Sequence, residues 1–269
     1  MNRYQLALWL MAIPLVVRAN LFGSDKRTAL LQNSLPGRAI GLVNEVGDGG
    51  SVLNRCTGTL VGERLVLTAA HCVALGRKNE KVRTVFVPGD GQPSALAVAT
   101  LPGGWRSEDD SRRGDWAFLL LDRTFPGYLE IEKVPLITDA RVTFAGYPSD
   151  ISGGKDPSVE FGCRIRGVFA KEGVFHHDCS VFAGASGGPI LIFTGTSAHP
   201  EWKIIGISTA HKSNGSRGVW APSYTPALSN IATDASNFFS TFLKLKKRGQ
   251  ATFNIKKCAS QSGSSPFQY

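Results

Sequence analysis

Residues 184–189 read Gly-Ala-Ser-Gly-Gly-Pro, and residues 68–72, far upstream, read Thr-Ala-Ala-His-Cys. Between them, residues 115–121 read Asp-Trp-Ala-Phe-Leu-Leu-Leu, an acid followed by a continuous apolar run. The chain therefore holds a histidine, an acid at the head of a buried strand and a serine in a glycine-rich turn. One fold presents the three parts of a hydrolytic triad in this order along the chain. The pattern indicates a reaction type and leaves the substrate open.

The candidate nucleophile is Ser186, the candidate base is His71, and the candidate acid is Asp115. A serine hydroxyl needs a base to take its proton and donors to receive the oxyanion. The surrounding glycines allow a sharp turn that leaves the N–H groups of Gly184 and Ser186 free to point at one oxygen. A buried carboxylate at Asp115 needs a partner, which an imidazolium at His71 would supply. Each residue alone also has a structural interpretation, as a loop serine, a histidine beside a cysteine, or a strand-end cap.

Short β-type runs separated by loops rich in Gly, Pro, Asp and Ser predict an all-β chain. These runs fall at residues 39–43, 57–61, 64–68, 82–87 and 117–121, and then at 141–146, 161–165, 189–193 and 202–207. Because the two groups divide near residues 122–135, we expect two packed antiparallel barrels, at 38–125 and 126–224. Apolar residues at three- and four-residue steps, preceded by Thr225 and Pro226, predict a helix over 225–248. A basic and polar tail, 249–269, follows.

The N-terminus has the features of an export signal. Arg3 precedes an apolar stretch at 6–17, and a small-residue exit ends at Ala19. The stretch is shorter than the roughly 20 residues that span a bilayer, and no later segment is long enough. We predict a signal peptide at 1–19, with a buried N-terminal helix as the alternative, and an arm or short pro-segment at 20–37. A secreted protein, extracellular or periplasmic, is therefore expected.

Five cysteines suit an oxidising compartment. Cys56 and Cys72 bracket the histidine motif, and Cys163 and Cys179, at the same spacing of 16, precede the serine turn. The simplest pairing is therefore two local bridges, 56–72 and 163–179. Cys258 is left over as a free or intermolecular thiol.

The formal net charge of +9 is concentrated near the C-terminus, where residues 240–269 carry six lysines and arginines and no acid. This region either contacts a polyanion or is a solvated helix end that aids solubility. We expect no cofactor and no metal, and a monomer. His176, His177 and His199 are expected at the surface.

The three motifs together resemble those of the trypsin/chymotrypsin superfamily of serine proteases, over roughly residues 38–243. The resemblance implies two six-stranded barrels with a C-terminal helix, and an active site in the cleft between them. It assigns His71 as general base, Asp115 as its orienter and Ser186 as nucleophile, with Gly184 N–H and Ser186 N–H as the oxyanion hole. The short interval of 71 residues from Asp115 to Ser186 is similar to that of bacterial secreted glutamyl endopeptidases.

Two departures from the digestive members concern activation and specificity. The aspartate that precedes their nucleophile and pairs with a freed N-terminus is Ala185 here, so that switch is absent. The acid that selects Arg or Lys, six residues before the serine, is Ser180. A pocket for uncharged or acidic side chains of polypeptide substrates is therefore expected. Its rear wall would come from residues 206–211, with Ser208, Thr209 and His211 as candidate contacts, of which only His211 can carry a positive charge.

Two other functions fit parts of the pattern. Residues 184–188 also match the Gly-x-Ser-x-Gly elbow of serine esterases, but that elbow runs into a helix, and here a strand-like run follows. A protease fold retained only for binding would be expected if a member of the triad were missing, and none is. A secreted serine endopeptidase is therefore the predicted function.

Overall fold

The structure is a computed structural model that describes residues 20–106, 112–196, 199–212, 220–221 and 223–247, with only the backbone described at 220 and 221. Its strands are β1 Leu21–Phe22, β2 Thr28–Ala29, β3 Ile40–Val46, β4 Val52–Gly62, β5 Leu65–Thr68, β6 Arg83–Pro88, β7 Ala95–Pro102, β8 Ala117–Leu121, β9 Glu130–Ile131, β10 Arg141–Gly146, β11 Ser158–Phe169, β12 Val174–His177, β13 Pro189–Phe193, β14 Trp202–Lys212, β15 Trp220–Ala221 and β16 Ser229–Asp234. The α-helices are α1 Ala74–Lys78 and α2 Phe239–Lys247, and 3-10 turns occupy Gly37–Ala39, Ala70–Val73, Ser152–Gly154 and Ala235–Asn237.

The first barrel closes in the strand order β3-β4-β5-β8-β7-β6. Neighbouring strands are antiparallel, and β5 and β8 are buried along their whole length. Such strands read as continuous apolar runs, because neither face meets water. Val43, Leu67, Phe86 and Phe118 are among the side chains that fill this barrel.

The second barrel closes in the order β10-β13-β14-β16-β12-β11, with β11 pairing back to β10. β2 adds to the edge at β11, and β9 adds in parallel to β14. Its interior is apolar and contains Phe144, Ile165, Phe175, Ile190 and Ala232. The prediction of two six-stranded antiparallel barrels is therefore confirmed.

The predicted helix over 225–248 is wrong in its first half. Residues 229–234 form β16, which lies between β14 and β12 and is needed to close the second barrel. The helical turns begin only at Ala235, where the Asp234 carboxylate caps the Ser236 N–H at 2.8 Å. α2 then packs on the first barrel through Phe242, which stacks with Phe118. The tail at 249–269 and Cys258 lie outside the described residues.

The arm at 20–37 contributes two short strands outside the six strands of the second barrel. β1 pairs in parallel with β15, and β2 pairs with β11. Asn20, the first described residue, is fully buried. The predicted signal peptide at 1–19 lies outside the described residues. None of the helices in the described ranges is long and apolar enough to cross a membrane.

Both predicted disulfides are present, Cys56–Cys72 in the first barrel and Cys163–Cys179 in the second. The surface placement of His176 and His177 is wrong, since both side chains are buried, whereas His199 is exposed as expected. The two histidines lie in β12, which pairs with β11 on one side and β16 on the other. All four residues of β12 are buried, so both faces of the strand are covered and neither histidine lies at the surface.

Candidate active site

The candidate site is a cleft of about 630 Å³ that is lined by residues from both barrels. The first barrel contributes His71, and the second contributes Ser186 and part of β14. Two of the three predicted triad residues therefore line one cleft, and Asp115 lies directly beneath His71.

Strand pairing brings His71 and Asp115 together. β5 and β8 are antiparallel neighbours, with Thr68 opposite Ala117. His71 follows the end of β5, and Asp115 comes just before the start of β8. Because antiparallel partners begin and end at the same edge, the two residues meet there despite their separation in sequence.

Asp115 makes three hydrogen bonds to His71. Its Oδ1 accepts the His71 backbone N–H at 3.0 Å, and His71 Nδ1 lies 3.0 Å from Oδ1 and 2.9 Å from Oδ2. Asp115 is 0 % exposed. Burial alone would raise the pKa of Asp115, but the charge and hydrogen bonds of His71, with the charge of Arg112, outweigh it and hold this pKa below its usual value. The carboxylate is thus ionised and fixes the orientation of the imidazole.

The turn that carries Ser186 depends on two glycines with positive φ, Gly184 at +92° and Gly187 at +82°. Gly187 N–H donates to the Ser208 carbonyl at 2.7 Å, and Ser208 N–H donates to the Gly188 carbonyl at 2.9 Å. These bonds anchor the turn to β14, the strand that lines the cleft beside it. Only glycine reaches this region of φ without strain, which explains the composition of the motif.

The N–H groups of Gly184 and Ser186 are not used within the turn. Among the backbone hydrogen bonds of the described residues, neither N–H is a donor, whereas Ala185 N–H donates to Phe182 O at 3.0 Å. The carbonyl oxygens of Gly184 and Ser186 are both occupied by Thr57. The Gly184 N–H shares its peptide plane with the Ala183 carbonyl, which accepts the Ser149 N–H at 2.6 Å, and the Ser186 N–H shares its plane with the Ala185 carbonyl, which accepts the Gly188 N–H at 3.0 Å. Both planes are therefore held, and the two unused donors are available to an oxygen in the cleft.

Three of the four predicted pocket residues, Ser208, Thr209 and His211, line the cleft. Ser180 is not among the lining residues. It is buried, and its N–H donates to Glu160 Oε2 at 2.6 Å. Glu160 faces a different cavity, and burial raises its pKa. No acidic side chain belongs to the described lining of the cleft.

Asn230 lines the cleft and Asn20 lies behind it, and neither role was predicted from the sequence. Asn20 N–H donates to Asn230 Oδ1 at 3.3 Å, and Asn230 Nδ2 donates to the Asn20 carbonyl at 2.9 Å. Val181 N–H also donates to that carbonyl at 3.2 Å. Since Asn230 and Val181 line the cleft, Asn20 fixes two of its walls. The one sequence signal for this role is the position of Asn20 directly after the predicted signal peptide.

One group of ligand-type side chains lies beside the site, formed by Cys56, Cys72 and His71. The two sulfurs are joined as a disulfide, so no thiolate is available to a metal ion. This group therefore does not constitute a metal site.

Residues 56–196 match the trypsin-like peptidase domain, and the chain belongs to the family that this domain defines. The predicted resemblance to the trypsin/chymotrypsin superfamily is thereby confirmed.

Curated relatives include serine protease 23 from Rattus norvegicus, 28% identical over 190 residues, and from Homo sapiens, 27% identical over 190 residues. Both alignments cover 58% of this chain and 48% of the relative. The chain therefore spans about half the length of these relatives.

Solved structures with the same fold include a Glu endopeptidase, with a TM-score of 0.63 and 24% identity over 85% of this chain and 100% of that one. Protease Anisep from Arthrobacter nicotinovorans has a TM-score of 0.55 and 19% identity, covering 81% of this chain and 99% of its own.

Proposed function

We propose that the protein is a secreted serine endopeptidase. The observation that carries the proposal is the buried Asp115 carboxylate bound to His71 Nδ1 at 2.9 Å, in a cleft that Ser186 also lines. Burying an ionised carboxylate costs free energy unless a partner compensates its charge, and His71 is such a partner. Membership of the trypsin-like peptidase family supports the same conclusion.

The residues have separate roles in the proposed reaction. Ser186 Oγ attacks the scissile carbonyl carbon and transfers its proton to Nε2 of His71. Asp115 holds the Nδ1 side of the ring and stabilises the imidazolium. The N–H groups of Gly184 and Ser186 receive the oxyanion. His71 then protonates the leaving amine, and a water molecule activated by His71 hydrolyses the acyl-enzyme.

The proposed specificity excludes Arg and Lys and favours uncharged or acidic side chains. The cleft lining contains no described acid, but it does contain His211, Arg55 and Arg112. An acidic substrate side chain would meet donors and positive charge there, whereas a lysine would meet no counter-ion. The neighbouring Ser208 and Thr209 add hydroxyl donors.

Processing of the signal peptide bears on the same pocket. Cleavage after Ala19 would make Asn20 the N-terminus, with its nitrogen near Asn230 Oδ1. An ammonium at that position would add a positive charge beside the cleft wall. It would take the place of the activation switch of the digestive proteases, in which the freed N-terminus pairs with an aspartate at the position that Ala185 occupies here. N-terminal sequencing of the exported protein tests this point, because only cleavage after Ala19 yields Asn20 as the first residue.

A fluorophosphonate probe followed by intact-mass measurement tests the proposed function. We expect one adduct on the exported wild-type protein, located at Ser186, and none on S186A. Hydrolysis of peptide substrates by S186A should fall by several orders of magnitude, because the triad acts as a unit. S51A, which changes an exposed turn serine, is the matched control and should label like wild type. An unlabelled wild-type protein would favour the binding-protein alternative, and hydrolysis of esters but not peptides would favour the esterase.

A further inference from the structure

Asp115 is bound by a cation, Arg112, in addition to His71. Arg112 Nη1 donates to Asp115 Oδ2 at 3.0 Å, and the same oxygen lies 2.9 Å from His71 Nδ1. The Arg112 side chain is 30% exposed and lines the cleft, while that of Asp115 is fully buried. One carboxylate oxygen is therefore shared between the candidate base and a guanidinium that is charged at all working pH values.

Arg112 is held at this position by contacts that do not involve the carboxylate. Its carbonyl oxygen accepts Thr233 Oγ1 at 2.6 Å from the second barrel, and Asp115 N–H at 3.1 Å closes the turn that joins the two residues. Its guanidinium lies over the Trp105 ring, 5.5 Å from the centroid. Trp105 in turn meets the His71 ring edge-on, with the centroids 5.8 Å apart. The Arg112 backbone is thus anchored to the second barrel, and its side chain is anchored to Trp105 beside His71.

We propose that Arg112 is a positioning residue of the triad, which orients Asp115 Oδ2 and offsets part of the charge that Asp115 presents to His71. The inference rests on the proposed protease function. During acylation the imidazolium is stabilised by the carboxylate. A guanidinium on the other side of the shared oxygen weakens that stabilisation, so protonated His71 becomes less favoured. The enzyme then retains its free base to lower pH than the same triad without Arg112.

The other charged or titratable groups around the pair are few among the described residues. Arg77 in α1 donates to the Ala70 carbonyl at 3.2 Å and is in electrostatic contact with Asp115. His211 in β14 lines the same cleft. Both stay unchanged in the variants below, so a difference between those variants reports on position 112.

The test compares R112Q, R112K and R113Q. Arg113 is the matched control, because it is adjacent, carries the same charge, is exposed and directs its Nε to Asn237 Oδ1 at 3.2 Å. In R112Q the acidic limb of the pH profile of kcat/KM should move upward by on the order of half to one pH unit. We expect kcat to fall about tenfold with little change in KM, because the loss of the hydrogen bond that orients Asp115 Oδ2 outweighs the stronger stabilisation of the imidazolium. R112K keeps the positive charge, so the acidic limb of its kcat/KM profile should stay at the wild-type pH. R113Q should also leave this limb unchanged.

A second readout separates this inference from the proposed function. The His71 ring signals can be titrated by NMR in an S186A background, which requires no turnover, and the midpoint should rise when R112Q is added. An inactive wild type with this shift would refute the protease function and keep the coupling. If R112Q and R113Q share the same acidic limb of kcat/KM and the same midpoint of the His71 titration, the role of Arg112 is overturned. If R112Q does not fold, R112K decides alone, because a displaced limb in R112K contradicts a role of the charge.

Discussion

The backbone N–H of Thr57 donates to the carbonyl oxygen of Ser186 at 2.8 Å, so a strand of the first barrel holds the serine turn of the second. Thr57 Oγ1 donates to the Gly184 carbonyl at 3.0 Å and accepts the Tyr147 N–H at 2.9 Å. Thr57 is fully buried, and its carbonyl accepts Thr68 Oγ1 at 2.8 Å. The placement of Ser186 relative to His71 thus depends on a residue that has no role in the proposed reaction.

T57V should reduce both stability and activity. Valine keeps the shape of threonine but leaves the Gly184 carbonyl and the Tyr147 N–H without their side-chain partner, at a cost of about 1–3 kcal/mol in the free energy of unfolding. The rate of hydrolysis should fall about tenfold or more, because the turn loses one of the two hydrogen bonds that Thr57 makes to it. Urea unfolding and kcat/KM measure the two effects.

T59V is the matched control for T57V. Thr59 lies in the same strand and is equally buried, but its Oγ1 has no hydrogen-bond partner among the described residues. We expect T59V to be neutral or stabilising. Equal losses in T57V and T59V would contradict the role of Thr57 in holding the turn.

G187A should abolish activity and destabilise the fold. Gly187 has φ of +82°, and a Cβ at this position would collide with the Thr57 carbonyl oxygen and lie 2.9 Å from Ala69 N, both backbone atoms that cannot move aside. G91A separates the collision from the backbone strain, since Gly91 has φ of +78° with open space around it. G91A should lower the free energy of unfolding by only about 1–2 kcal/mol. Thermal unfolding of the two proteins checks the difference, and similar losses would show that the contact with Thr57 is unimportant.

Two buried histidines should make the fold sensitive to mild acid. Burial, with the nearby charge of His176, lowers the pKa of His177 to about 3, and burial together with Lys212 lowers the pKa of His176 to about 4. Both values lie below the unfolded value of about 6.5. Their contribution is therefore fully present above about pH 6.5 and is lost as pH falls towards the folded values, because the unfolded chain binds the protons first.

H177F should reduce this acid sensitivity. His177 has no hydrogen-bond partner at either ring nitrogen among the described residues and packs against Phe144 and Phe175. Each such histidine steepens the fall in the free energy of unfolding by up to about 1.4 kcal/mol per pH unit. Urea unfolding between pH 7 and 4.5 should show a shallower fall in H177F and an unchanged one in H199F, which alters an exposed histidine. Identical slopes in all three proteins would refute the effect.

Local sequence patterns predicted the two barrels, the order of the candidate triad residues along the chain and the two disulfide bridges. The apolar runs of β5 and β8 are read directly, and cysteines at equal short spacings close local loops. Residues 229–234 were misassigned to the helix because Ile231 and Ala232 fit a helical period as well as a strand. Pairing with β12 and β14 makes this segment a strand. Long-range pairing of this kind overrides local periodicity.

Packing, rather than pattern, also decided the residues that sequence analysis missed. His176 and His177 are polar residues, and it is the packing over both faces of β12 that buries them. Arg112 and Arg113 are adjacent and identical in type, yet one binds Asp115 and the other Asn237. The direction of a side chain in a turn is set by the surrounding structure, which no local rule encodes.

The last prediction concerns His211 and the choice of substrate. His211 lies in β14 opposite Asn230, and both line the cleft, in which no described side chain is acidic. A peptide library should therefore show cleavage after uncharged or acidic residues, with little after Arg or Lys. H211A should lower kcat/KM for Glu at the cleaved bond about tenfold and leave a substrate with Gln in the same place nearly unchanged, because only the carboxylate gains from a positive charge. H199A, at an exposed site, is the matched control. A strong preference for Arg or Lys would overturn the neutral pocket, and an unchanged ratio of Glu to Gln in H211A would overturn only the role of His211.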